Sequence, residues 1–100
     1  MNAITYEQRA KIYAQAADTF GRDTQTIVAI EELSELIKEL CKVERLDGRL
    51  GCMAEEIADV TIMLEQLREL YDVNDLVCAF MDSKVKRLAE RIEQAKEGAI

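Results

Sequence analysis

Apolar side chains recur every three or four residues along most of the chain, which is the spacing of one face of an α-helix. Glycines and short polar stretches interrupt this pattern and divide it into four segments. The predicted helices run from near Thr5 to about Thr19 or Phe20, from Asp23 or Thr24 to about Glu44, from about Cys52 to Leu70, and from near Asn74 to about Ala95. We therefore predict an all-α fold: a four-helix, bundle-type subunit in a single domain over residues 1–100.

Local residues mark the ends of these helices. Thr5 is a suitable N-cap for the first helix, Gly21 ends it, and Asp23 or Thr24 is predicted to cap the second. The segment 45–51 carries two glycines and mixed charge, and it is the loop-like stretch between the middle helices. We expect it to be a connector, with closure over a ligand as the alternative.

Three of the helices carry apolar stripes whose role has to be assigned. The stripe of the first helix is predicted to be core, with stacking of an aromatic ring on a nucleobase as the alternative. A single layer of 100 residues would leave much of this apolar surface uncovered, so we expect oligomerisation. The stripes are Tyr6, Ala10, Tyr13, Ala17 and Phe20; Ile27, Ile30, Leu33, Ile37 and Leu40; and Val77, Met81, Val85, Leu88 and Ile92.

Composition and charge exclude several classes of function. The chain has no histidine, which excludes a Ser-His triad, a histidine general base and the usual zinc sites. The net charge is −7, and no basic surface of the kind that a duplex-binding protein needs is evident in the sequence. A nucleic acid polymer is therefore not expected as a partner. An acidic protein that handles a polyanion such as a nucleotide needs a metal ion or a local basic patch to offset repulsion.

The cysteines and the hydropathy bear on location. Cys41, Cys52 and Cys78 are an odd number with no C-x-x-C spacing, so we expect small buried thiols in a reducing cytosol. No apolar run reaches the roughly 20 residues that span a bilayer, and no signal peptide opens the chain. A cytoplasmic protein with no membrane partner is expected.

Two acidic pairs are the candidate chemistry. Glu32 and Glu35 stand three residues apart on the second helix, and Glu56 and Asp59 do so on the third. Helical residues at this spacing are surface neighbours, with Cβ atoms roughly 5–6 Å apart. If the two helices pack together, four carboxylates converge on one point.

The setting of Glu56 distinguishes a metal site from a solvated acidic face. Glu56 lies within the apolar stripe of its helix, one turn from Met53 and Val60. Two like charges about 6 Å apart repel by roughly 3 kcal/mol at an effective dielectric of about 20, so convergence requires protons, basic side chains or a divalent cation. A solvated face suits the other acids of these segments but not Glu56. Those acids are Glu31, Glu39, Glu55 and Glu65.

The pattern Glu32-x-x-Glu35, twenty intervening residues, then Glu56-x-x-Asp59 resembles the all-α nucleoside triphosphate pyrophosphohydrolases. This is the MazG-like group, which includes the dCTP pyrophosphatases and phosphoribosyl-ATP pyrophosphohydrolase. The doubled acids at 31–32 and 55–56 and the aliphatic run 60–64 fit the same pattern, and the resemblance spans about residues 25–91.

This resemblance implies hydrolysis of a (deoxy)nucleoside triphosphate to the monophosphate and pyrophosphate, with Mg²⁺, or Mn²⁺ in its place, as cofactor. Glu32, Glu35, Glu56 and Asp59 would be the metal ligands, and Glu35 and Glu56 the catalytic candidates. Glu35 is the candidate base because its position is wetter, although the sequence does not separate ligand from base. A homodimer or homotetramer is implied as well.

Lys84, Arg87 and Arg91 form a basic row beside the apolar stripe of the fourth helix. Two roles are open for these residues: ion pairs with acids of a partner helix, or binding of substrate phosphates. The resemblance favours phosphate binding. The family usually has an asparagine in this helix, whereas Asp82 or Ser83 stands here.

A non-catalytic alternative uses the same residues. In it, the acids form inter-subunit salt bridges within a helical oligomerisation or nucleotide-binding module. The base and sugar of a substrate, and the number of metal ions, stay open at this stage.

Overall fold

The computed structural model describes residues 2–98, and within that range it contains four α-helices and no strand. The helices are α1 (Tyr6–Phe20), α2 (Arg22–Glu44), α3 (Leu50–Leu70) and α4 (Asn74–Gly98). The predicted all-α, four-helix fold is confirmed. Within the same residues, no helix combines the length and the apolar character that crossing a membrane requires.

The start of α1 and the turn that follows it are set by local hydrogen bonds and by one glycine. Thr5 Oγ1 accepts from the Gln8 amide at 3.1 Å, and the Thr5 amide donates to Gln8 Oε1 at 2.9 Å, which completes a capping box. Gly21 has a φ of 86° and lies between α1 and α2. Because glycine adopts this conformation readily, α2 begins at once, and the caps predicted at Asp23 or Thr24 are wrong.

Helices α2 and α3 form an antiparallel hairpin joined by residues 45–49, and this pair makes the most extensive helix–helix contact in the chain. The turn folds back on the end of α2. A Cβ added to Gly48 would lie 2.7 Å from the backbone nitrogen of Val43, so the close approach requires glycine there. The segment is thus the connector that aligns α2 with α3.

The buried part of the molecule is small. Only four apolar residues are buried among those described, and two glutamines join them. These residues are Tyr13, Ala29, Val60, Met63, Gln25 and Gln66. Three helices therefore share a thin core between α1, α2 and α3.

The predicted apolar side of α2 does not face α3. The side that does carries Gln25, Ala29 and Glu32, whereas Ile30 and Ile37 are about 60% exposed. At about 100° per residue, the apolar stripe is centred roughly a third of a turn away from the α2–α3 contact. On α2, the residues nearest α3 are therefore largely polar or small, whereas the aliphatic residues Ile30 and Ile37 stay exposed.

Helix α4 extends away from the other helices. Within residues 2–98 it packs only against α3, and it buries no residue of its own. Its apolar stripe is largely exposed, with Val85 62% accessible and Leu88 53%. The radius of gyration is 17.3 Å, against about 13 Å for a compact domain of this length. The four helices thus do not close into a bundle within one chain.

Candidate metal centre

The α2–α3 hairpin brings three of the four predicted acids together. Glu32 comes from α2, and Glu56 and Asp59 come from neighbouring positions on α3. One carboxylate oxygen of each lies within 4.8 Å of the others, and all three residues are half-buried. The convergence arises because the antiparallel hairpin sets Glu32 opposite the pair whose members are three residues apart on α3.

The environment of this cluster opposes ionisation. Desolvation raises the pKa of Glu32 above its usual range, and the charges of Asp59 and Glu35 raise it further. Desolvation and then the charges of Asp59 and Glu32 likewise raise the pKa of Glu56. The arrangement therefore concentrates negative charge that has no compensating cation among the described residues around it.

One atom of the cluster is left without a partner. Glu56 Oε2 is buried and has no hydrogen bond within the described residues. Buried carboxylate oxygens are normally paired, so this atom has free coordinating capacity. Three carboxylates with a free oxygen are the hard-oxygen ligand type that Mg²⁺ and Mn²⁺ prefer, and the residues present fit such an ion.

Glu35 lies at the edge of this group. It is exposed, as its wetter position predicts, and it falls outside the three-residue cluster. Its charge nevertheless raises the pKa values of both Glu32 and Glu56. The structure thus brings three of the predicted ligands together and holds the fourth at the solvent side of α2.

Lys84, Arg87 and Arg91 are not brought to the acids within one chain. All three are exposed on α4, which packs only against α3 in the described part of the chain. None of them forms an ion pair with the acidic cluster among residues 2–98. Within the described part of one chain, the basic row and the acidic cluster therefore do not form a shared site.

A polar link that the sequence does not predict joins α1 to α3. Arg9 Nε donates to Glu65 Oε2 at 3.0 Å, and the Tyr13 hydroxyl donates to the same oxygen at 2.6 Å. The prediction that Glu65 is solvated is wrong, since its side chain is only 17% exposed. The available signal was Tyr13 itself, because a tyrosine in the middle of an apolar stripe needs a partner for its hydroxyl.

Two further sequence predictions are corrected. Glu39 is not solvated: its side chain is 14% exposed and accepts from Lys42 Nζ at 3.3 Å. Cys41, Cys52 and Cys78 are free but exposed, so the prediction of buried thiols is wrong.

The aromatic stripe of α1 is only partly core. Tyr13 is buried, whereas Tyr6 and Phe20, at its two ends, are exposed. Tyr6 instead contacts α3 through its hydroxyl, which donates to Glu69 Oε1 at 3.1 Å. Within α1, the guanidinium carbon of Arg9 lies 5.2 Å from the centroid of the Tyr6 ring.

The fold and the site together define an all-α, four-helix chain with a carboxylate cluster between two antiparallel helices. In comparisons with known proteins, no family model, no curated protein and no solved structure matches this chain. The likeness to MazG-like enzymes accordingly depends on the acidic motif and its spacing.

Proposed function

We propose that this protein is a metal-dependent nucleoside triphosphate pyrophosphohydrolase, which converts a (deoxy)nucleoside triphosphate to the monophosphate and pyrophosphate. The observation that carries the proposal is the convergence of Glu32, Glu56 and Asp59, with Glu56 Oε2 buried and unpaired. A solvated acidic face would not desolvate its carboxylates, and a structural ion pair would supply a basic partner.

In this proposal the three clustered carboxylates hold Mg²⁺, or Mn²⁺ with the same oxygen ligands. The bound ion supplies neutralisation of phosphate charge, alignment of the phosphates and a lowered pKa for the attacking water. Glu35 accepts the proton of that water, because the chain has no histidine and Glu35 is the exposed acid beside the cluster. Glu56 is the second catalytic candidate, because its buried Oε2 has no other partner and is free to bind the ion.

The proposal includes assembly into a homodimer or homotetramer. The supporting observation is the exposure of apolar residues along both α2 and α4, since monomers rarely expose contiguous apolar surface on this scale. A second copy that covers α4 also places its Lys84, Arg87 and Arg91 beside a neighbour. There they serve as the phosphate contacts that a single chain does not provide.

The activity is tested by supplying dNTPs with and without Mg²⁺ and measuring pyrophosphate. Glu56→Gln and Asp59→Asn should each lower the release at least a hundredfold, since each removes a ligand charge at the reacting centre. Glu55→Gln is the matched control, because Glu55 is exposed, is adjacent in sequence and carries the same charge. Full activity in Glu56→Gln would refute the site assignment.

Assembly is tested by light scattering on the full chain. Leu88→Lys places a charge in the exposed stripe of α4, and Glu90→Lys introduces the same residue elsewhere on that helix. We expect Leu88→Lys to lower the mass to that of a smaller species and Glu90→Lys to leave it unchanged. A monomeric wild-type protein would contradict the assembly.

A second candidate function is a non-catalytic oligomerisation or nucleotide-binding module. The observation that favours it is the basic row on α4, which a neighbour could pair with the acidic cluster. This candidate predicts no change in melting temperature on adding Mg²⁺, whereas a metal site is stabilised by mass action. Nucleotide binding without pyrophosphate release would identify the binding-only form.

A further inference from the structure

One side of α2 is exposed along most of the helix and carries aliphatic and small side chains. Ile27, Ile30 and Ile37 are 56%, 61% and 62% exposed. Ser34 and Cys41 are exposed on the same side of the helix. At about 100° per residue, these five side chains fall within an arc of about 80°, and together we call them the α2 face. Contiguous exposed apolar surface of this kind marks an interaction site.

Two opposite charges border the α2 face along one edge. Glu31 and Lys38 are seven residues apart, which is about two turns, so they lie on nearly the same side of the helix and roughly 10.5 Å apart along its axis. Both side chains are exposed, and neither forms an ion pair within residues 2–98. This edge is therefore negative toward the start of α2 and positive toward its end.

Ser34 lies near the midpoint of the α2 face and of its charged edge. It follows Glu31 by three residues and precedes Lys38 by four, and Ile27 and Cys41 are each seven residues away from it. When a second copy of α2 crosses the face in the antiparallel direction at Ser34, each residue meets the one at the reversed position. Glu31 then lies beside Lys38 of the second copy, and Lys38 lies beside Glu31 of that copy.

The antiparallel direction is the one that matches these charges. In an antiparallel helix pair the same edge of both helices meets, whereas in a parallel pair the two opposite edges meet. A parallel pair would set Glu31 and Lys38 against the other edge, which carries Leu33 and Leu40. Charged residues that border an apolar helix contact set its partner and its direction, so they favour the antiparallel pair here.

A second copy of α2 fits the face better than α4 of a second copy does. The basic residues Lys84, Arg87 and Arg91 border the apolar stripe of α4. They would set positive charge beside Lys38 as well as beside Glu31. Sign matching at both positions therefore selects α2 itself as the partner helix.

Contact through the α2 face leaves the acidic cluster accessible. Glu32 lies about 160° around the helix from Ser34, on the side of α2 that meets α3. A second copy at the α2 face is thus on the far side of α2 from the three carboxylates.

We propose that the α2 face is a two-fold interface, in which a second copy of the chain packs antiparallel and Glu31 and Lys38 form reciprocal ion pairs. Such an interface is isologous: both copies use the same patch, and every contact occurs twice. The interface specifies one contact of the homo-oligomer and in that respect rests on the proposed function. It requires neither the metal ion nor hydrolysis.

Charge reversal tests the reciprocal pairs by analytical ultracentrifugation of the full chain without metal or nucleotide. Glu31→Lys places a lysine opposite Lys38, and Lys38→Glu places a glutamate opposite Glu31. Because two attractive pairs become two repulsive ones, each variant alone should associate about tenfold more weakly than wild type. An equimolar mixture of the two variants should regain the wild-type affinity, and so should the double variant.

Recovery in the mixture also shows that the single variants are folded. Glu7→Lys and Lys11→Glu are the matched controls, because they make the same charge changes at exposed positions of α1. Alone or mixed, these controls should associate as wild type does. A monomeric wild-type protein, wild-type association in Glu31→Lys, or a mixture as weak as its components would overturn the interface.

The outcomes separate this interface from the proposed function. If the mixture regains association but no dNTP releases pyrophosphate with Mg²⁺, the interface stands and the hydrolase assignment fails. If pyrophosphate is released and Leu88→Lys lowers the mass while the charge reversals do not, assembly proceeds through α4. The hydrolase assignment then stands and the interface at the α2 face is refuted.

Discussion

The Tyr13 hydroxyl donates a 2.6 Å hydrogen bond to Glu65 Oε2, which joins α1 to α3 across 52 positions of sequence. Arg9 completes the link with Nη2 donating to the other carboxylate oxygen at 3.3 Å. Burial alone would raise the pKa of Glu65, but the hydrogen bonds from Arg9 and Tyr13 outweigh it and lower that pKa. This three-residue link is the main polar tie that holds α1 on the hairpin.

Removal of the tyrosine hydroxyl should weaken that tie. We expect Tyr13→Phe to lower the free energy of unfolding by about 1.5–3 kcal/mol, because the lost hydrogen bond is to a charged group. Urea denaturation measures the change. Tyr6→Phe is the matched control, since it removes a hydroxyl bonded to Glu69 at an exposed site. A loss in Tyr6→Phe as large as in Tyr13→Phe would contradict the assignment.

Alkaline pH should act through the same hydroxyl. Burial and the hydrogen bond to Glu65 raise the pKa of Tyr13 to about 12 from an ordinary value of 10.0. The neutral form is therefore favoured by folding, and its contribution is complete below pH 10.0 and is lost as the pH rises through about 12. The difference in tyrosinate absorbance between wild type and Tyr13→Phe should have its midpoint near that upper value. A midpoint at the ordinary value would refute the buried link.

A bound Mg²⁺ ion should offset the electrostatic repulsion among the carboxylates of the acidic cluster. Because the pKa values of Glu32 and Glu56 are raised, the metal-free fold is favoured by their protonation and is weakened as the pH rises through those values. At neutral pH we expect Glu56→Gln to raise the melting temperature of the metal-free protein, and Mg²⁺ to stabilise wild type by several degrees but not this variant. Glu55→Gln changes the net charge equally and should retain the response to Mg²⁺. A response in Glu56→Gln equal to that of wild type would count against the site.

The turn of the hairpin depends on one glycine. Gly48→Ala should lower the free energy of unfolding by about 1–3 kcal/mol, because the added Cβ meets backbone atoms of Val43 and Lys42 at 2.7 and 2.9 Å. Gly51→Ala is the control: its Cβ meets nothing within 4 Å, and the site lies in α3. It should raise the same free energy by about 0.5 kcal/mol. Thermal unfolding of the two variants, measured under the same conditions, shows whether Gly48 is required by its close backbone contacts. If helix propensity alone mattered, both variants would be stabilised.

Much of the site was predictable because it is encoded within single helices. The spacing of Glu56 and Asp59 places them on one helix face whatever the tertiary structure, and Glu56 falls on the side that meets α2. Glu35 was predicted to converge with the others but lies at the exposed edge. The rotation of α2 about its own axis decides this, and sequence spacing leaves that rotation open.

The tertiary links were harder to predict, because each depends on a pairing between distant helices. Nothing near Glu65 in the sequence identifies Arg9 and Tyr13 as its partners. A solvent-exposed glutamate on a helix can have the same apolar sequence neighbours, so the local pattern does not reveal that Glu65 is paired. The unpaired buried oxygen of Gln66 is likewise a result of helix packing, which the residues around it in the sequence do not specify.

The amino-acid sequence by itself determined four helices, their approximate ends and the two acidic pairs, since these follow from local periodicity and capping. Only the tertiary structure decided which faces meet: Glu32 joins Glu56 and Asp59, while within the described residues the aliphatic side of α2 stays largely exposed and α4 packs only against α3. The physical reason is that a helix with both an apolar stripe and a polar seam has two faces able to pack. Contacts with other helices select between them.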